Sequence, residues 1–312
     1  MGEEMVMRLS TTVNFFIPPY SSSKKACAEE LKRYKNLGFE NLDAIFCSAG
    51  NADSFLRKAD WEDRIHHIAD TAAELGITFV QSHIPFYNFY LKPAGTPDDI
   101  DEIVDRSIIS AGILGAPWTV AHPATALGNS MPFIVSKQVN LEYFKRRLEV
   151  CEKHHVGLAI ENMADFEGGG RNRWYCAHVE ELCDLIDTLN QNTGLVGACW
   201  DFGHANLVYA DQKDCLRMLG NRLKVTHVHD NNGTGDDHLS PFRGTVNWPD
   251  IMHTLAEIGY AHDFSFEVRR ILASYVPEEI KGSLWRHLKV VGEYLLSLYE
   301  DALKDVQHDK LI

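Results

Sequence analysis

Fifteen histidines among 312 residues is a large share, and their placement is what suggests chemistry. Short β-rich segments end in SHIPF with His83, AHPAT with His122, IENM with Glu161, and DFGH with Asp201 and His204. Further on, THVHDN carries His227 and His229, a nearby DDH carries Asp236 and His238, and SFEV carries Glu267. Two Glu, Asp and several imidazoles on one rim suit a divalent cation of borderline or hard character: manganese, zinc, iron, cobalt or magnesium. A mononuclear site uses three or four such ligands. His227 and His229 stand two apart, so on a strand both face the same side. Any one of these residues alone reads as an ordinary polar side chain satisfied by its neighbours. Eight or nine of them at strand ends read as a site.

Elements that can gather these residues recur along the whole chain. Apolar, partly β-branched strand candidates lie at 7–15, 41–47, 77–84, 118–122, 156–161, 196–201, 223–229 and 263–268. Helical stretches lie at 24–37, 61–75, 97–114, 140–154, 177–190, 211–219 and 248–258, with a last one from 277 to 299–304. Gly38, Gly76, Gly115, Gly157, Gly194, Gly220 and Gly259 fall near helix ends, before the next strand. Eight strand–helix pairs with no linker or composition break predict α/β class, a single (β/α)8 TIM barrel over 1–312, with the final helix (277–304) packed on the barrel. An open doubly wound sheet is disfavoured, because VNFFIPPYSSS stands after the first strand where a Gly-rich phosphate loop belongs. In a barrel, chemistry sits at the carboxyl ends of the strands, and six of the eight deliver a ligand type there.

Composition limits the partners. Thirty Lys and Arg against forty-four Asp and Glu give a net charge of −14, unfavourable for nucleic acid or an anionic membrane surface. Clustered basic residues are confined to Arg171 with Arg173 and Arg269 with Arg270. Seven Cys with no C-x-x-C pair argue against a disulfide framework or a thiolate zinc site and fit a reducing cytoplasm. The start MGEEMVMRLS lacks the pattern of a signal peptide, and no run of about eighteen apolar residues occurs, so a cytoplasmic protein with no membrane span is expected.

In this order and spacing, IENM (160–163), DFGHANL (201–207), HVHDNNGTGDDHLSPFRGTVNW (227–248) and FSFEV (264–268) resemble the xylose-isomerase-like TIM-barrel superfamily over nearly the whole chain. That superfamily holds sugar isomerases and epimerases and the endonuclease IV type of repair enzyme. The resemblance to its epimerases implies a metal held by Glu161, Asp201, His227 and Glu267. It also implies a substrate-contacting His204 and proton transfer next to a carbonyl by the pair Glu161 and Glu267. The family pattern H-x-x-D-N favours His227 over His229 as ligand and leaves His229 either facing substrate or supporting the ligands from behind. His83, His122 and Arg243 complete the candidate substrate contacts, Arg243 or Arg173 serving a phosphate or carboxylate. The resemblance to endonuclease IV implies a trinuclear zinc site from His83, His122, Glu161, Asp201, His204, His227, Asp236, His238 and Glu267. HPAT, DFGHANL and the acidic charge favour the sugar enzymes, with a small sugar or sugar phosphate as substrate. Family members often form dimers or tetramers, so a homo-oligomer is also implied. Phe15, Phe16, Tyr20, Phe86, Tyr87, Phe89, Tyr90, Trp118, Trp200 and Trp248 are candidate pocket walls, and the GGG at 168–170 a candidate lid.

Overall fold

A computed structural model describes residues 7–92, 95–165, 173–191, 193–272 and 275–309. Eight parallel strands run in the order β7-β6-β5-β4-β3-β2-β1-β8. They are β1 (Leu9–Val13), β2 (Asn41–Ile45), β3 (Thr78–His83), β4 (Trp118–Ala121), β5 (Gly157–Glu161), β6 (Val196–Asp201), β7 (Leu223–His227) and β8 (Phe264–Phe266). The ring closes between β7 and β8 through a parallel bridge, Val228 with Phe266. There Val228 N–H donates to Ser265 O (2.8 Å) and Glu267 N–H to Val228 O (3.0 Å). The architecture is a single (β/α)8 barrel, as the alternation of elements predicts.

The helices are α1 (Lys24–Asn36), α2 (Trp61–Leu75), α3 (Ile100–Leu114), α4 (Pro132–Lys153), α5 (Val179–Asn190), α6 (Phe202–Asn206), α7 (Lys213–Leu219), α8 (Trp248–Glu257) and α9 (Glu278–Asp309). Ser23 caps α1 by accepting from Ala26 N–H, while Gly76 and Gly115 end α2 and α3 in the left-handed region that a Cβ disfavours. Helix α4 begins two turns earlier than its apolar pattern suggests. Its first turns bury polar residues that hold the loop after β4: Ser136 Oγ accepts from Ala126 N–H (2.9 Å) and Asn140 Oδ1 from Ala124 N–H (2.9 Å). Helix α9 packs its Trp285 edge-on to Tyr34 and Phe39, and its Gly292 sits against Leu9 and Phe266, where a Cβ would come within 2.7 Å of Leu9.

Most of the apolar core lies between the strands and the helices, where Trp200, Trp248, Phe15 and Phe16 are buried. Those four are therefore core residues and not pocket walls. Inside the barrel, Val120, Ala159, Cys199 and Val225 form a separate apolar cluster on β4 to β7. The β1, β2, β3 and β8 side holds Ser10, Asp43, Gln81 and Ser265 instead, all buried. Among the described residues no helix is long and apolar enough to cross a membrane, and the seven cysteines are free thiols.

Candidate metal centre

Period-two alternation sets the site. Gln81, Val120, Ala159, Cys199, Val225 and Ser265 face the barrel interior, and two residues later His83, His122, Glu161, Asp201, His227 and Glu267 crown the same inward faces. Glu161, Asp201, His227 and Glu267 each present a ligand atom, all within 4.8 Å of one another and all buried. His227 Nδ1 lies 3.0 Å from Glu161 Oε1, 3.4 Å from Glu267 Oε2 and 4.0 Å from Asp201 Oδ2. Of the two histidines two apart, it is His227 that joins the carboxylates. His229 Nε2 approaches Asp201 from another side (3.0 Å), and its ring stacks on His238 at 4.0 Å.

Around these four stand the remaining predicted residues. His83 Nε2 (3.1 Å) and His122 Nε2 (2.9 Å) approach the second oxygen of Glu161. His229, Asp236 and His238 form another ligand-type group, with His238 Nε2 3.0 Å from Asp236 Oδ2. His204 joins the groups, its Nδ1 3.6 Å from Glu161 and its Nε2 3.7 Å from Asp236. Neighbouring backbone is shaped to fit. Asn162 Oδ1 accepts from Asp201 N–H (2.6 Å), Asp201 Oδ1 caps α6 through His204 N–H (2.7 Å), and a Cβ on Gly203 would strike the His229 ring at 1.9 Å.

The electrostatics follow from packing acids against imidazoles in a dry place. Burial raises the Glu161 carboxyl, but His227 and His122 more than offset it and hold the group well below the carboxylate range. Glu267 and Asp236 are also lowered: burial opposes ionisation, yet His227 and Arg269 favour it at the first, and His204 and His238 at the second. Burial works against the charged forms of His204, His83 and His227, but nearby anionic partners prevail. His204 is pushed up to about 10 by Asp201 and Asp236, and His83 and His227 rise well above 6.5. His122 is lowered, because for it burial wins over Glu161. Glu161 and Asp201 are buried with no Lys or Arg partner among the described contacts, so their only counter-charges are imidazoles. That donor set fits a divalent cation, which supplies the positive charge the site lacks and leaves the imidazoles neutral.

Above the centre opens a cavity of about 640 Å3, its floor formed by His122, Glu161, His204, Asp236, His238 and Glu267. Its walls include Phe86, Tyr87, Pro97, Ile100, Met163 and Trp174. Phe86, half-exposed, stacks on the His122 ring at 4.9 Å. Arg243 is exposed and does not line the cavity. The cation that does, among the described residues, is Arg269, whose Nε donates to Glu267 Oε1 (3.0 Å). Arg173 is engaged elsewhere, with both guanidinium nitrogens on Glu181 (2.7 and 2.6 Å). Arg171 and the GGG segment lie outside the described residues. Cys47, with Sγ 3.5 Å from His83 Nδ1, and Asp43 belong to the site's surroundings without standing in any ligand-like motif.

Residues 31–282 match the family model described as xylose isomerase-like TIM barrel. The chain belongs to this family. It is 29% identical over 172 residues to the uncharacterized protein y4fM of Sinorhizobium fredii, covering 53% of this chain and 51% of that one. To the D-psicose 3-epimerase of Enterocloster bolteae it is 26% identical over 165 residues, covering 53% of this chain and 47% of the relative. The chain thus spans about half the length of these curated relatives. Among solved structures, an L-ribulose 3-epimerase superposes with a TM-score of 0.70 at 16% identity, covering 97% of each chain. An AP endonuclease, family 2, from Brucella melitensis superposes with a TM-score of 0.62 at 15% identity, covering 84% of this chain and 93% of that one. At these identities the structural likeness speaks for the fold.

Proposed function

We propose that this chain is a divalent-metal-dependent isomerase or epimerase of a small sugar or sugar phosphate, acting in a cytoplasmic setting. The observation that carries the reading is the convergence of Glu161, Asp201, Glu267 and His227 Nδ1 at the floor of a cavity of sugar-accommodating size. A cation held by these four residues, be it manganese, zinc, cobalt, iron or magnesium, would lend Lewis acidity to a sugar carbonyl and its neighbouring hydroxyl. Glu161 on β5 and Glu267 just past β8 approach from different sides of the floor. One takes the proton from the carbon beside the carbonyl and the other returns it, to the opposite face of that carbon or to its neighbour. His204 and His122, which line the cavity, orient hydroxyls, while His83 and His229, buried and outside its lining, stand behind Glu161 and Asp201; Phe86 with Trp174 excludes water above them. Likeness to the D-psicose and L-ribulose 3-epimerases supports ketoses as the first substrates to try.

A second reading, a multinuclear zinc phosphodiesterase, is favoured by one observation. All nine residues of the endonuclease IV-like set come together here, with Glu161 common to the His83–His122 group and the four-ligand group. Against it stand the charge of −14 and a cavity whose one described cation, Arg269, is already held by Glu267. Elemental analysis of protein purified without chelator or metal-affinity tag separates the two. About one ion per chain with interconversion of ketoses is expected; about three zinc ions per chain with cleavage of abasic DNA would replace this reading with the second. Absence of both metal and ketose turnover would overturn it outright.

A further inference from the structure

Beneath the four-ligand group, Asp43 is fully buried inside the barrel on β2 with no Lys or Arg ion pair among the described residues. An acid in the middle of the strand NLDAI is costly to bury unless something answers its charge. Among the described residues its side chain makes polar contacts with two others. Gln81 Nε2 donates to Asp43 Oδ2 at 3.0 Å, and His227 Nε2 lies 3.4 Å from the same oxygen. The register between β2 and β3 shifts between Leu42 and Asp43, which places Asp43 opposite Gln81 and both on the interior. His227 Nε2 has no hydrogen-bond partner, nor has Asp43 Oδ1, and both atoms are buried. An unpaired imidazole nitrogen and an under-satisfied carboxylate therefore face each other across the barrel, with Glu161, Asp201 and Glu267 gathered at the opposite edge of the same ring.

We infer that Asp43 is a positioning residue for the metal centre: it holds the proton of His227 on Nε2, so that Nδ1 presents its lone pair to the space shared with Glu161, Asp201 and Glu267. The inference rests on the metal-dependent reading above and assigns a part to a residue that never reaches substrate. Its basis is chemical. A neutral imidazole carries one N–H, and the nitrogen opposite a carboxylate keeps it; a partner of this kind fixes ring orientation and raises ligand basicity.

Two measurements test this, with zinc as the probe. The first is zinc affinity by chelator competition in wild type, D43N and the control S265A, which removes an equally buried hydroxyl that has no partner. D43N is expected to bind zinc about 10- to 100-fold more weakly, while S265A stays within about twofold of wild type. D43N within about twofold of wild type would overturn the inference and leave the metal reading standing. The second needs no change at 43: nitrogen-15 NMR of histidine-labelled, zinc-loaded wild type, with the His227 signals assigned by their loss in H227Q. A proton on Nε2 is expected, and a proton on Nδ1 would overturn the assignment even if D43N did not fold. Wild type that takes up no zinc would sink the metal reading first and this inference with it.

Discussion

The two halves of the barrel interior are built differently under one rim. Below His122, Glu161, Asp201 and His227 lie Val120, Ala159, Cys199 and Val225, an apolar floor with no hydrogen-bonding group but a thiol. On the other side, Gln81 lies below His83 and Ser265 below Glu267, with Ser10 and Asp43 beside them, and Ser10, Asp43, Gln81 and Ser265 each keep an atom without a partner. A dry floor leaves the ligands above it to be held by one another and makes every charge there count heavily. A polar floor can brace a ligand from behind, and the brace proposed for Asp43 reaches across from that side to His227, which stands over the dry half. Of the pair proposed to transfer the proton, Glu161 stands over the dry half and Glu267 over the polar half. Two chemically equal carboxylates thereby occupy unequal surroundings, the first ringed by imidazoles and the second tied to Arg269.

The largest effect is expected at that pair. E161Q and E267Q should each lower kcat on a ketose substrate by about 10²- to 10⁴-fold, a far larger effect than either has on the stability of the metal-free protein; near-normal turnover in both would remove the mechanism. Next, V120D puts an unpaired charge into the dry floor and should destabilise the fold by roughly 3–5 kcal/mol in chemical denaturation. A cost below about 1 kcal/mol would mean that water reaches this half and that the contrast is false.

The third prediction concerns pH. With its folded value raised from 6.5 to about 10, His204 contributes stability that is complete below pH 6.5 and lost as pH rises towards 10. His83 and His227 share that sign, and His122, lowered, offsets part of it. Glu161, Glu267 and Asp236 are lowered, so their contribution is present above the usual carboxylate range and lost in acid. Metal-free protein should therefore melt highest in mildly acidic solution and less well towards pH 10, whereas metal affinity should rise with pH as the imidazoles lose their protons. Parallel trends would contradict the assignment of these groups to one centre.

F86A should raise KM about three- to tenfold with little change in kcat, because the ring forms wall and not floor. The smallest effect belongs to S265A, expected within about 0.5 kcal/mol of wild type because its hydroxyl satisfies nothing.

Periodicity made the fold legible, since each strand and helix keeps its pattern long enough to be read. Where the reading slipped, tertiary demands had overridden pattern. Helix α4 starts early because Ser136 and Asn140 are spent on the loop after β4, and Trp200 turns outward because it is one residue out of phase with Asp201. His83, His122, Glu161, Asp201, His227 and Glu267 were legible because each stands at or one residue past the end of a strand. Arg269 and Asp43 were harder, the first an exposed-looking pair with Arg270 and the second a single acid in a short strand. Only a three-dimensional neighbour gives either of them a meaning, Glu267 for Arg269 and His227 for Asp43. Arg243 illustrates the reverse case: close in sequence to Asp236 and His238, it is exposed and takes no part in the cavity they line.

The order in which the chain emerges from the ribosome gives the barrel seam another meaning. Ligands appear from His83 onward, but Glu267 arrives with β8, which pairs with β1 at the other end of the sheet order, and α9 then seats Trp285 on α1 and Gly292 on β1 and β8. At about 5–20 residues per second of synthesis, a nascent chain that has already exposed seven strands still lacks both its closing strand and its last ligand. The four residues proposed to hold a cation are thus complete only once β8 has followed the other seven strands.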